Sequence, residues 1–357
     1  MTLLITGATG LVGKALVNYL LRETEYKNKP NIIRILVRKK NSSPDRKMFI
    51  EWCINAGIDV FYGDLTSDES VYAFTCVKDP KNTTLIHSGA IFNFWQPYKL
   101  LYDVNVFGTE RILNGFHQNN LHKLIFLSSA AVYGNLSGSC NQGITENQPI
   151  DLAMKPNYEL TKALAENLIW QYFHKNPDRN ITIFRPSGII GGSGTTIDLF
   201  ARLIFRACVP LPRGGKDKLS LVDVTDVAHA IYICIDNKNS NGEAFNLVSF
   251  TPTVRDFVIE LAKILNRKIY IIAVPLIFFK PLLYFTLLIR RFKHAQEHSL
   301  FLPILFEKLG QDVWIDDHKA KIIGFKSRID LEGSMQQLGE FLDKNPWYSK
   351  QKFKTAI

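Results

Sequence analysis

An α/β fold with a doubly wound parallel sheet is what this sequence predicts, on three observations. Residues 6–13 read Thr6-Gly7-Ala8-Thr9-Gly10-Leu11-Val12-Gly13, between an apolar start, Leu3-Leu4-Ile5, and a helix-period apolar run from Leu11 to Leu21. Strand-like and helix-like segments then alternate through the first half, which implies parallel strands covered by helices. The strand-like runs are short and continuously apolar, as in a sheet buried on both faces.

Taken in order, strands are expected at Leu3–Thr6, Ile32–Val37, Ile58–Tyr62, Thr84–His87, Lys123–Ser128 and Ile181–Arg185, with helices near 11–22, 67–76, 97–118 and 157–174. The glycines suit a tight turn, close approach of a pyrophosphate to the backbone, and close packing of helix on strand. The first free N–H groups of that helix and its positive dipole end suit phosphates. The segment 135–156 reads as a loop beside the proposed site. Beyond residue 188 the pattern loosens. Gly191-Gly192-Ser193-Gly194 reads as a turn, 197–207 as a helix, and Pro210 to Gly215 as a loop. Leu219–Val222 reads as a strand, Thr225–Ile235 as a helix and Ala244–Val248 as a strand.

The chain has 357 residues, more than one compact domain ordinarily holds, and a net charge of +10. Its five cysteines form no C-x-x-C pair, which suits a reducing cytoplasm. Strand one starts almost at Met1, so no signal peptide is expected. Basic clusters occur at Arg38–Lys47, Arg290–Lys293 and Lys350–Lys354, without a nucleic-acid recognition motif; anionic-ligand binding and a solvated face are the expectation, with no nucleic-acid partner. Residues 269–289 form the most apolar window, interrupted by Pro275, Lys280 and Pro281. Three readings are open for it: a soluble lid or pocket wall, a membrane-surface segment reaching residue 293, and a true span. His294-Ala295-Gln296-Glu297-His298 matches a zinc-protease pattern, but no other zinc context accompanies it and no metal is expected.

Tyr158-Glu159-Leu160-Thr161-Lys162 places a tyrosine and a lysine at i and i+4, on one helix face. An ammonium beside a phenol favours the phenolate, so Lys162 is expected to lower the Tyr158 pKa toward a useful acid/base range. Strand two ends Val37-Arg38-Lys39-Lys40 with no acid between Asn31 and Pro44. An acid there would suit a ribose 2′-hydroxyl and an arginine a 2′-phosphate, so NADP(H) is favoured over NAD(H), with Arg38 as the main contact.

With its G-x-x-G-x-x-G spacing and Tyr-x-x-x-Lys pair, the chain resembles the extended short-chain dehydrogenase/reductase family over roughly residues 1–265. The resemblance implies a Rossmann-type doubly wound parallel sheet, residues 1–187, and a smaller C-terminal substrate-binding region, 188–357, with about 219–250 returning to the first. It implies dinucleotide contacts from Thr6, Gly7, Thr9, Gly10, Leu11, Val12, Gly13, Asp64, Leu65, His87, Ser88, Gly89, Tyr158, Lys162, Arg185, Pro186 and Ser187. It implies Tyr158 as acid/base, Lys162 tuning it, Ser129 holding the substrate oxygen and Asn105 ordering the site. Gly89 departs from the family's His-x-Ala-Ala run.

The run from His87 to Leu113 resembles the thioester-reductase and fatty-acyl reductase branch, and residues 269–291 the 3β-hydroxysteroid dehydrogenase branch. Both imply a carbonyl or alcohol on a hydrophobic substrate. Two other readings stand: a sugar-nucleotide epimerase or dehydratase that retains NAD, disfavoured by the missing acid, and a dinucleotide sensor, disfavoured by the intact Ser129, Tyr158 and Lys162. A homodimer is common in the family.

Overall fold

The computed structural model describes residues 1–39, 43–92, 96–134, 143–191, 208–275 and 314–344, together with residues 197, 200, 201, 204 and 277. Seven parallel strands form the central sheet: β1 (Thr2–Thr6), β2 (Ile33–Val37), β3 (Asp59–Tyr62), β4 (Thr83–His87), β5 (Lys123–Leu127), β6 (Asn180–Pro186) and β10 (Glu243–Leu247). Their spatial order is β10-β6-β5-β4-β1-β2-β3. The winding therefore reverses between β1 and β4, which lie side by side with Thr6 opposite His87. In open α/β sheets that switch point, at the carboxyl ends of the strands, is where ligands bind.

The two-residue period of the strands sorts the core. Leu3 and Ile5 pack with Leu16, Leu20 and Ile231 on one face. Leu4 packs with Phe74, Ile112, Leu124 and Ile169 on the other. The first layer holds α1 (Leu11–Glu23), α2 (Pro44–Asn55) and α7 (Val224–Ile233); the second holds α3 (Asp68–Thr75), α5 (Gly108–Gln118) and α6 (Tyr158–Lys175). The helix expected over 97–118 is a single rod with a fault: α4 (Tyr98–Tyr102) runs through a π turn, Asp103–Phe107, into α5. Such a turn is often found at functional sites, and Asn105 sits inside it.

A third apolar cluster joins Ile190, Phe200, Val209, Leu211 and Leu221 to Phe257 and Leu261 of α8 (Val254–Ile264) and Met335 and Leu338 of α9 (Leu331–Lys344). Beside it, β7 (Gly188–Ile190) pairs with β9 (Leu221–Asp223), and β8 (Cys208–Pro212) with β11 (Tyr270–Val274), both parallel. The loop expected at Pro210–Gly215 is thus corrected: residues up to Pro212 are a strand, because β11 offers it a partner that no local pattern announces. Two buried carboxylates tie the C-terminal segment down. Asp223 caps α7 at the Thr225 N–H and accepts from Ser334 Oγ; Asp226 accepts from Ser249 Oγ, Ser327 Oγ and the Arg328 N–H.

The apolar window begins as β11, and its remainder after Val274, apart from Pro275 and Ile277, lies outside the described residues. So do the His294–His298 pattern, the Gly192–Gly194 turn and residues 135–142 of the expected loop. Among the described residues no helix is long and apolar enough to cross a membrane, and no group of acids, histidines and cysteines could hold a metal ion.

Helix α1 lies so close to β1 that a Cβ on Gly13 would fall 2.2 Å from the Gly7 carbonyl oxygen and 2.5 Å from Ala8 Cα. Gly13→Ala should therefore cost roughly 1–3 kcal/mol of stability, as overpacking does. Chemical denaturation checks this; an unchanged midpoint would show that α1 can move away freely.

Candidate active site

The turn after β1 is built for backbone approach. Gly7 has φ 73°, and a Cβ there would lie 2.6 Å from the Gly89 nitrogen. Only glycine meets both demands. The Gly10 N–H closes the turn on the Gly7 carbonyl at 2.9 Å. Gly10 caps α1 without a side-chain hydrogen bond, and the first turn, Leu11-Val12-Gly13, carries no acid. The amides and positive dipole end of α1 are left to an anionic group, as a dinucleotide pyrophosphate requires. Thr9 stands half-buried in the same loop.

Behind the loop runs a buried chain of hydrogen bonds whose directions can be assigned. Thr109 Oγ1 donates to the Asn105 carbonyl at 2.6 Å, so it accepts from His87 Nε2 at 3.1 Å. His87 Nδ1 is then the acceptor for Thr6 Oγ1 at 2.7 Å, and Thr6 Oγ1 accepts from the Gly89 N–H at 3.2 Å. Ser88 Oγ donates to the Thr6 carbonyl at 2.7 Å. The imidazole is therefore neutral with its proton on Nε2. Burial, with the Lys162 charge second, holds its pKa well below the ordinary 6.5, at about 3. The His87 side chain is a strut between β1, β4 and α5.

Tyr158 and Lys162 lie one turn apart on α6, whose first turn is capped by Asn157 through the Leu160 N–H. Lys162 Nζ donates to the Leu127 carbonyl at 2.6 Å and stands 4.4 Å from the Phe126 ring centroid. This brings the ammonium to the end of β5, where Ser128 and Ser129 begin. Ser129 Oγ, half-buried, accepts from the Ala131 N–H at 3.1 Å and turns the chain into a short 3₁₀ helix, Ala130–Tyr133. Asn105 holds both backbone groups of Ile91 (2.8 and 3.2 Å) and donates to Thr161 Oγ1 at 3.0 Å, fixing α6 against the loop after β4.

The expected lowering of the Tyr158 phenol is corrected: burial pushes it upward, with Glu159 adding to the effect. Burial also lowers Lys162 to about 7, against the opposing pull of Glu166. Desolvation is the largest cause for both groups. Tyr158 is thus a protonated phenol at neutral pH.

The other expected residues are dispersed around this centre. Asp64 folds its carboxylate back on the Thr66 N–H and hydroxyl. Leu65 packs beneath Gly89, where a Cβ would meet it at 2.9 Å. Arg38 is exposed at the end of β2. Arg185 turns its guanidinium inward, to Glu166 and Tyr133. After Pro186 the Ser187 N–H donates to the Leu247 carbonyl, while Ser187 Oγ is buried with no hydrogen-bond partner. That orphan hydroxyl at the end of β6, with the glycine cradle, fits a bound dinucleotide.

Sequence reasoning assigned no role in the site to four residues. The Phe92 ring packs near-perpendicular to Tyr158, ring centroids 4.6 Å apart. Arg46 of α2 stands near enough to Arg38 for that charge to lower its pKa, after burial as the larger cause. Thr109 completes the histidine strut. Glu166 lies four residues beyond Lys162 on the same helical stripe, the one signal that could have found it.

A family model described as NAD dependent epimerase/dehydratase family matches residues 3–247. The chain belongs to that family. It is accordingly an enzyme of the extended short-chain dehydrogenase/reductase type. Among relatives, a UDP-glucose 4-epimerase of Vibrio cholerae is 27% identical over 287 residues, 77% of this chain and 79% of that protein. A sterol-4-alpha-carboxylate 3-dehydrogenase of Candida albicans is 28% identical over 190 residues, 53% of this chain and 51% of that protein. A non-canonical nonribosomal peptide synthetase of Aspergillus campestris is 30% identical over 287 residues; the match takes 71% of this chain but spans only 26% of the synthetase. In fold, the chain is similar to Bacillus anthracis dTDP-glucose 4,6-dehydratase, with a TM-score of 0.71 at 18% identity, covering 99% of each chain.

The neutral His87 has a stability consequence in this family member. Its folded pKa lies below the unfolded one, so the unfolded chain binds the extra proton. Its contribution is complete above about pH 6.5 and is lost as the pH falls toward 3. His87→Gln should flatten the fall in unfolding free energy between pH 7 and pH 5, measured by urea denaturation. An unchanged slope would mean that the imidazole does not titrate with unfolding.

Proposed function

We propose that this family member is an NADP(H)-dependent oxidoreductase that interconverts a carbonyl and an alcohol on a hydrophobic, lipid-, steroid- or acyl-thioester-like substrate. The observation that supports this reaction is the Lys162–Leu127 bond, which fixes α6, with Tyr158 one turn before Lys162, to the end of β5 just ahead of Ser128 and Ser129. When bound, the nicotinamide supplies or takes a hydride at its C4. Ser129 Oγ donates a hydrogen bond to the substrate oxygen as charge develops there. Tyr158 gives its proton to that oxygen in reduction and takes it back in oxidation. A protonated Lys162 has three donors; one is held by Leu127, and the others remain for ribose hydroxyls.

The dinucleotide is held by the Gly7–Gly13 turn, with Ser88, Gly89, Asp64, Leu65 and Ser187 around it. Arg38, with Arg46 beside it, supports NADP(H) over NAD(H), since a guanidinium pairs with a phosphate and has no counterpart on a bare ribose. Phe92 against Tyr158 supports an apolar substrate, because a sugar nucleotide would need hydrogen-bonding groups there. The Vibrio cholerae relative, matched over most of its length, keeps the epimerase reading as the alternative.

Three measurements test this. Nucleotide released on denaturation should be absent or NADP(H), and the emptied protein should bind NADPH more tightly than NADH. Stoichiometric NAD would favour the epimerase reading. Arg38→Ala should shrink that preference by roughly tenfold or more, the size of a charge-assisted hydrogen bond; an unmoved preference would overturn the role of Arg38. Tyr158→Phe should leave NADPH affinity intact and cut turnover on hydrophobic carbonyls by about 10²–10⁴-fold, the range of general acid catalysis. Undiminished turnover would remove Tyr158 from the mechanism.

A further inference from the structure

Glu166 is fully buried, and both of its carboxylate oxygens are engaged. Oε1 accepts from Arg185 Nε at 2.9 Å, Arg185 Nη2 at 2.5 Å and Trp170 Nε1 at 3.1 Å. Oε2 accepts from Ser128 Oγ at 2.5 Å. Arg185 is itself only 4% exposed, and its Nη1 goes on to Tyr133 Oη at 2.9 Å. That hydroxyl donates to Asn246 Oδ1 on β10 at 2.7 Å. One carboxylate on α6 therefore gathers the end of β5, one residue before Ser129, and the end of β6, two residues before Ser187.

A buried ion pair is a weak source of net stability, because desolvation offsets the attraction. Well-packed apolar residues would hold these elements together as well. What apolar residues could not supply is a fixed negative charge on the Lys162 stripe of α6. Tyr158, Lys162 and Glu166 follow one another at four-residue intervals, so the lysine sits between the phenol and the carboxylate on one face.

We propose that Glu166 is a positioning residue for Lys162: one turn beyond the lysine, its carboxylate locks Ser128 and Arg185 to α6, gripping the residue next to the Leu127 carbonyl that receives Lys162 Nζ, and its buried negative charge on the same helical stripe keeps that ammonium charged. It acts through Lys162 and touches no reacting atom. The role depends on the dinucleotide reading above only for what Lys162 then does. Among the described residues, the charged and titratable groups that act on or respond to Lys162 are Glu166 on its own helix and neutral His87 on β4; Tyr158 precedes it by one turn, Arg185 on β6 is paired to Glu166, and the Phe126 ring of β5 lies beside it. Of these, Glu166 favours the ammonium, and burial opposes it.

The test is the NMR pH titration of the Lys162 Cε signal in the full-length, dinucleotide-free chain, assigned with Lys162→Arg. Glu166→Gln keeps shape and hydrogen-bonding capacity but removes the charge. The midpoint should move to lower pH, with the ammonium fraction above it falling on the order of tenfold per unit. A purely structural role would lower the unfolding midpoint and leave the titration in place, and that result would overturn the proposal. If Glu166→Gln does not fold, Glu166→Asp, which keeps the pairing charge for Arg185 but draws it back from the stripe by one methylene, is titrated instead; a smaller downward move is expected, and an unmoved midpoint is again fatal. NADPH affinity from pH 6 to 9 is read in parallel. Its alkaline fall should move with the lysine midpoint. A midpoint that moves in a chain with no NADPH affinity would sustain Glu166 and refute the dinucleotide reading instead.

Discussion

The near-contact of two backbones, Gly7 after β1 and Gly89 after β4, is the constraint on which this molecule turns. Parallel neighbours in a sheet end at the same level, and here the winding reverses between them, so two loops leave side by side at one edge of the switch point. No side chain fits between them at Gly7. The close approach sets the glycine turn, the turn sets the entry of α1, and α1 presents its unpartnered amides to the crevice. The His87 strut keeps the two strand ends from sliding, and it does so as a neutral group, because no charge could be kept at that depth without a partner.

Electrostatics in the centre follow from the same depth. Tyr158 and Lys162 are both buried, and the loss of water is the largest influence on each. The phenol stays protonated and the ammonium is weakened to a pKa near neutrality. The Glu166–Arg185 pair lies behind them, and Glu166 is the charge that favours the ammonium. The site is organised in two tiers: hydroxyl, phenol and ammonium at the crevice, and carboxylate, guanidinium and imidazole behind them.

Much of this was legible in the chain alone. The six expected strands of the first half appear within a residue or so of their expected bounds, because buried parallel strands are continuous apolar runs with sharp polar ends. Gly7, Gly10 and Gly13, and the Tyr158–Lys162 spacing, were legible because each is local: a turn, or one step of a helix. Helix α2 was missed because its sequence, Pro44–Asn55, is mixed in polarity and buries little beyond Ile50 and Cys53. Strand β8 was missed because Pro210 and Pro212 suggest a loop until β11 is placed beside it.

What the sequence determined by itself is the set of local geometries: where strands run, where the chain must turn on glycine, and which side chains share a face of α6. Partnerships across the fold were decided only by tertiary structure. His87 bonds Thr6 across 81 residues and Thr109 across 22, Glu166 reaches back to Ser128, and Asp226 reaches forward to Ser327 and Arg328. Such contacts leave no periodic trace, since a polar residue destined for burial looks in sequence like one destined for solvent. The protonation states follow the same division: residue type sets the ordinary pKa, but burial and neighbours, which only folding brings together, decide where each group stands.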